Sequence, residues 1–234
     1  MFCVNCGAAV DGDTLVACGS CGKSNAPALT GADISRRIKE ASSDAWAATR
    51  RVAIDPVAGL ASSFTTLGER RAQSAGIAFG VIFALVSAIA AAIGVSKLGV
   101  DGNLKAGLGI FIVALVPFAT IAALSAGARK LFGGSGSAGA DVFTAGVALQ
   151  PLGVLFLAAT FLGSDNLEVI AVLTLFAWTY MLCILFTGST RLVGLPERIA
   201  PPAIATMLLA AGWLTTIAAK SFFGSDTPLG RFFN

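Results

Sequence analysis

Beyond position 71 the chain consists of long apolar runs separated by short charged or glycine-rich stretches. Five of these runs, 75–96, 106–127, 142–162, 169–188 and 199–219, contain no acidic or basic side chain. Each is about 20 residues long, enough to cross a ~30 Å hydrocarbon core as a helix. They are apolar on every face, so they do not read as core helices of a soluble protein, which need amphipathic neighbours to cover them. The pattern predicts an all-α polytopic membrane protein with about five transmembrane helices, spanning 73–223, and a short tail over 224–234.

Upstream the pattern changes. Residues 24–32 read as a flexible joint, and from Asp33 the apolar positions Ile34, Ile38, Ala41, Ala45, Ala48 and Val52 recur every three to four residues, which predicts a helix. Arg36, Arg37, Lys39, Arg50 and Arg51 lie on its other faces and Trp46 flanks the stripe. Such a helix can lie on a membrane surface with its arginines near anionic lipid, or serve as a solvated linker, or pack on the bundle. Asp55-Pro56 ends it, because proline disfavours helical geometry in the residue before it. A second short helix is expected from Pro56 to the cluster Glu69-Arg70-Arg71, so that 26–72 form a linker and juxtamembrane region.

The first 25 residues carry two CxxC pairs, Cys3/Cys6 and Cys18/Cys21, each followed directly by glycine. A CxxC turn brings two thiolates onto one ion, and two such turns supply the four sulfurs of a closed tetrahedral Zn2+ site. The stretch between them is about as long as a short hairpin, so residues 1–25 resemble a small β zinc ribbon. Paired cysteines can instead form disulfides or a redox dithiol. A redox CxxC normally opens a helix of a thioredoxin-like unit, for which there is no room here. So small a module holds little core, so the single structural zinc would supply most of its folding free energy. Cys183 lies alone in an apolar run and reads as a small packing residue.

Composition sharpens this. Charged residues make up 12% of the chain, about half the usual share of a soluble domain, and there is no histidine. That removes Ser-His-Asp and Cys-His dyads and HExxH sites, and with no carboxylate inside the five runs it argues against an enzyme. Lys23 is the ribbon's one cation, set against Asp11 and Asp13, which argues against nucleic acid as a partner. With the N-terminus in the cytoplasm, the flanks on that side carry Arg70, Arg71, Arg129, Lys130, Arg191 and Arg198. The other side carries Lys97, Lys105, Lys220 and Arg231 with Asp165 and Glu168. A thiolate zinc site also favours the reducing cytosol. The expected location is therefore the cell's inner (cytoplasmic) membrane, N-terminus inside and C-terminus outside, with the first span as targeting signal because MFCVNCG lacks the regions of a signal peptide. Gln150-Pro151 and Pro117 interrupt two spans, either as a broken-helix ligand site or as a tolerated kink with Gln150 bonded to a neighbouring helix.

A cytoplasmic N-terminal region, an apolar-Asp-Pro element (AIDPVAGLASSF) at the membrane, five spans and a glycine-rich loop running to a proline-containing helix (LFGGSGSAGADVFTAGVALQP) follow one another in this order. Over residues 50–220 this resembles the bacterial branch of the Yip family, many of whose members carry a zinc ribbon in front. Eukaryotic members are named for interaction with Rab-type GTPases. The chain lacks their DLYGP motif and has Leu149 and Gln150 where a tyrosine often precedes the proline. The resemblance thus implies topology: five spans behind a cytoplasmic N-terminal region.

Two functions fit these features. One is a non-enzymatic scaffold or regulator whose ribbon contacts other membrane or cytoplasmic proteins, whose bundle contacts membrane lipids, and whose many glycines allow a homo-oligomer. The other is a transporter or channel for a neutral or lipidic solute with the ribbon as a regulatory cap, which calls for a polar cavity near Gln150, Thr174, Thr179 and Tyr180. The ribbon reading predicts about one zinc per chain by elemental analysis. Cys3→Ser or Cys18→Ser is expected to lose it, whereas Cys183→Ser keeps it.

Overall fold

The computed structural model describes residues 50–52, 55–97, 104–163 and 166–223. The four ribbon cysteines and most of the juxtamembrane helix lie outside these residues; of that helix, 50–52 are helical. Five long helices follow: α1 (Ala58–Lys97), α2 (Leu104–Phe132), α3 (Ala138–Leu162), α4 (Leu167–Thr187) and α5 (Ala200–Phe223). All five are long and apolar enough to cross a membrane, and the chain is a multi-pass membrane protein.

The chain reaches α1 through a capped turn. Asp55 accepts from the backbone N–H groups of Val57 (3.0 Å) and Ala58 (2.9 Å), and Pro56 falls where a helix lacks an N–H partner anyway. The expected short helix exists, as residues 58–67, and stops at Gly68, whose φ of 70° and ψ of 163° suit only glycine. There is no loop after it. Glu69 opens the long transmembrane stretch of α1 directly, so the charged cluster begins the span instead of closing the short helix.

The end of the bundle where the chain comes in is called proximal below, and the other distal. α1, α3 and α5 run from proximal to distal, and α2 and α4 return. The central element is α3, which packs on α1, α2 and α4, while α5 packs on α2. Half of the α3 span is buried, against 22% for α2, α4 and α5. Their outward residues, such as Val172, Leu175, Leu209 and Trp213, are apolar and exposed, as a lipid-facing surface requires.

The tightest packing joins the parallel helices α1 and α3. Gly139, Gly146 and Gly153 stand seven residues apart on α3 and face Glu69, Gly76 and Phe83 of α1. A methyl group at Gly139 would lie 2.8 Å from the Glu69 carbonyl oxygen, and one at Gly146 would overlap the Gly76 carbonyl. One at Gly76 would lie 2.6 Å from the Val142 oxygen. At Gly153 the neighbour is the Phe83 ring at 3.3 Å, so the seam loosens distally. Thr160 continues the series by donating to Ala90 O (3.3 Å), 70 residues away in the chain. Backbones this close gain dispersion contacts that larger side chains would prevent, and in lipid such packing replaces the hydrophobic effect as the driving force.

Gly76 and Gly80 form a GxxxG that could have served a contact between copies, but both glycines are used within the chain. Gly76 meets α3, and Gly80 meets the Phe118 ring of α2, where a methyl group would come within 2.7 Å. Gly146→Ala is expected to lower stability by about 1–3 kcal/mol through overpacking. Gly212→Ala on α5, where nothing lies within 4 Å, should raise it by about 0.5–1 kcal/mol. Thermal melts of the two variants in detergent check both signs.

Candidate functional site

The first candidate, the zinc site of Cys3, Cys6, Cys18 and Cys21, lies outside the described residues. Among the described residues no three metal-ligating side chains of Cys, His, Asp or Glu type gather. What the bundle does contain is a polar proximal end and an apolar groove.

At the proximal end Ser137 caps α3, its hydroxyl accepting from Ala140 N at 3.3 Å, and this starts the helix four residues before the uncharged run. Asp141 thereby becomes part of the first turn and is 1% exposed. It is a helix residue with two side-chain partners on α2. Ser125 of α2 donates to one carboxylate oxygen at 2.7 Å, and Arg129 Nε donates to the other at 2.9 Å. The pairing suits the helix dipoles as well, with the carboxylate at the N-terminus of α3 and the guanidinium in the last turn of α2. The sequence did carry a signal, Ser137 four positions before Asp141, but the hydropathy break at Asp141 hid it.

Beside this pair two loops join through their backbones. The loop 133–137 lies against residues 192–194, with Gly136 N donating to Val193 O at 2.9 Å. A methyl group at Gly136 would overlap the Leu192 carbonyl oxygen, and one at Gly134 would lie 2.6 Å from Val193 O. The α4 helix widens here into a π turn, Gly188–Leu192, closed by Val193 N to Gly188 O at 2.9 Å. Thr144 of α3 sits on Gly188 so closely that any side chain there would overlap it.

The groove lies among α1, α3 and α4 and has a volume of about 320 Å³. Gln150 and Tyr180 line it, and every other lining residue is apolar. The Gln150 amide nitrogen donates to Phe79 O on α1 (2.9 Å) and to Gly146 O (3.1 Å), so the helix continues through Gln150-Pro151 with its glutamine bonded to a neighbour. Tyr180, the one tyrosine in the chain, donates its hydroxyl to Val52 O at 2.5 Å and so ties the end of the juxtamembrane segment to α4. No local pattern signals a contact between residues 128 positions apart. Thr174 and Thr179 do not line the groove; their hydroxyls donate to Ile170 O and Leu175 O of their own helix. The polar cavity that a solute path calls for is therefore not assembled by these four residues. A second cavity of about 320 Å³ surrounds Pro117, with Ser87, Met181 and Thr215 among its walls.

No protein-family model, curated protein or solved structure matches the chain.

The buried pair gives a direct expectation. Asp141→Ala leaves the guanidinium and the Ser125 hydroxyl without their acceptor and should cost about 3–5 kcal/mol. The double variant Arg129→Met, Asp141→Leu should recover most of that, because no uncompensated charge remains. Unfolding of the purified protein in detergent measures both.

Proposed function

We propose that the chain is a non-enzymatic scaffold or regulator of the cytoplasmic membrane, with a four-cysteine zinc ribbon on the cytoplasmic side that mediates contact with other proteins. One observation carries the reading. The ionisable and amide side chains that reach the bundle interior among the described residues, Asp141, Arg129, Gln150 and Tyr180, bond to the protein itself and hold its helices, whereas only the small hydroxyls of Ser63 and Thr144 are buried without a hydrogen-bond partner. A catalytic or transporting site would leave such groups turned toward a substrate.

The orientation has its own support. Arg70, Arg71, Arg129, Lys130, Arg191 and Arg198 all belong to the proximal ends of α1 and α2 and to the α4–α5 connection. That clustering favours a cytoplasmic proximal end by the positive-inside rule. The Yip-like topology is part of the same proposal; the packing of the glycine-rich loop against residues 192–194 and the bond from Gln150 to α1 give that segment a structural use that agrees with it.

Affinity purification of the intact protein from membranes in mild detergent, followed by quantitative proteomics, tests the proposal. Partners captured by the wild type are expected to be lost from Cys3→Ser and Cys6→Ser, while both variants still insert in the membrane. An unchanged partner set would sink the recruitment role.

A further inference from the structure

We infer that the groove among α1, α3 and α4 is a binding site for one acyl chain of an anionic phospholipid from the proximal leaflet. The inference needs only the bundle and does not rest on the zinc ribbon or on the recruitment of partners.

The chemistry of the walls selects hydrocarbon. The amide nitrogen of Gln150 and the hydroxyl of Tyr180 already donate to Phe79 O, Gly146 O and Val52 O, so the donors that a polar solute would use are engaged. The rest of the lining is apolar. A volume of about 320 Å³ is roughly twice that of the ~150 Å³ apolar cavity that stays dry and takes up benzene. It lies at the lower end of the usual range of ligand pockets.

The shape selects a chain. Along α3 the walls run from Val147 to Ala158, and along α4 from Ile184 to Leu173. Eleven residues of helix are roughly 16 Å, about the depth of one leaflet. Access is lateral: Val154 and Phe176 line the groove yet are 68% and 64% exposed, on the surface that faces lipid.

Charge selects the headgroup. Val52 belongs to the lining, and the two residues before it are Arg50 and Arg51, both exposed. Arg51 reaches Thr66 with one guanidinium nitrogen at 3.2 Å, which holds it beside the short helix 58–67. A chain seated in the groove with its phosphate toward Val52 meets these cations, a favourable arrangement for anionic lipid at a membrane surface.

Native mass spectrometry of the full-length protein with added phosphatidylglycerol or phosphatidylcholine tests the site. About one phosphatidylglycerol per chain is expected to survive detergent removal, and phosphatidylcholine to be retained about tenfold less. Val154→Trp at the mouth and Ala158→Phe on the wall should each cut phosphatidylglycerol retention by about tenfold, and Arg50→Gln should narrow the gap between the two lipids. Leu175→Trp, at an exposed lipid-facing position outside the groove, should change nothing. Two filling variants are used so that one folded protein, judged by elution and melting temperature, suffices. Retention unchanged by filling the groove would overturn the site, as would an equal loss in Leu175→Trp. Equal retention of both lipids in the wild type would overturn the anionic headgroup.

Discussion

The contact between the backbones of α1 and α3 is the constraint on which the bundle depends. Lipid offers no hydrophobic drive to bring two apolar helices together, so their association rests on how closely they approach. Glycines at 139, 146 and 153 on one helix, with Gly76 opposite, remove the side chains that would hold the backbones apart. The other contacts are arranged around this seam. Phe118 brings α2 against Gly80, Thr144 brings α4 against Gly188, and α5 reaches the core through α2. Gln150 adds a directed bond across the same seam, to the Phe79 carbonyl.

Polar chemistry is distributed unevenly along the bundle. The proximal end holds the buried Asp141–Arg129 pair with its serine, the capped start of α3, the backbone-to-backbone loop contact and the tethered residue Val52. Toward the distal end the seam loosens and the interior becomes apolar side chains and cavities. A buried ion pair is weak evidence for stability, because desolvation cancels much of its attraction. Its value is geometric: only one register of α2 against α3 lets Ser125 and Arg129 both reach Asp141.

How much of this was legible in the sequence follows from the range of each interaction. Span length and uniform hydropathy are local, so all five membrane helices could be read directly, and the Asp55-Pro56 turn likewise. Boundaries were less so. Hydropathy ends a span at the first charge, whereas the helix itself continues to its cap, which is why α3 begins at Ala138 and takes in Asp141. Glycine at 139, 146 and 153 could be seen, but in a chain with 27 glycines the spacing acquires meaning only once α1 lies beside it. The Tyr180–Val52 bond and the groove are tertiary facts with no sequence signature. The bonding of Gln150 to its neighbour was foreseeable because a buried amide beside a proline has few other ways to be satisfied.

The register of α1 and α3 also bears on how the protein is made. The two helices cross the bilayer in the same direction, so α2 must cross between them before they can meet. Their facing residues are 70 positions apart in the chain. At roughly 5–20 residues per second, α1 waits about 4–14 seconds for its partner to emerge. During that interval Gly76 faces lipid or the insertion machinery, and Arg129 arrives before the carboxylate that will neutralise it. Assembly of the bundle is therefore timed by the completion of α3, and a nascent chain halted before Gly146 carries an adhesive surface with nothing to close it.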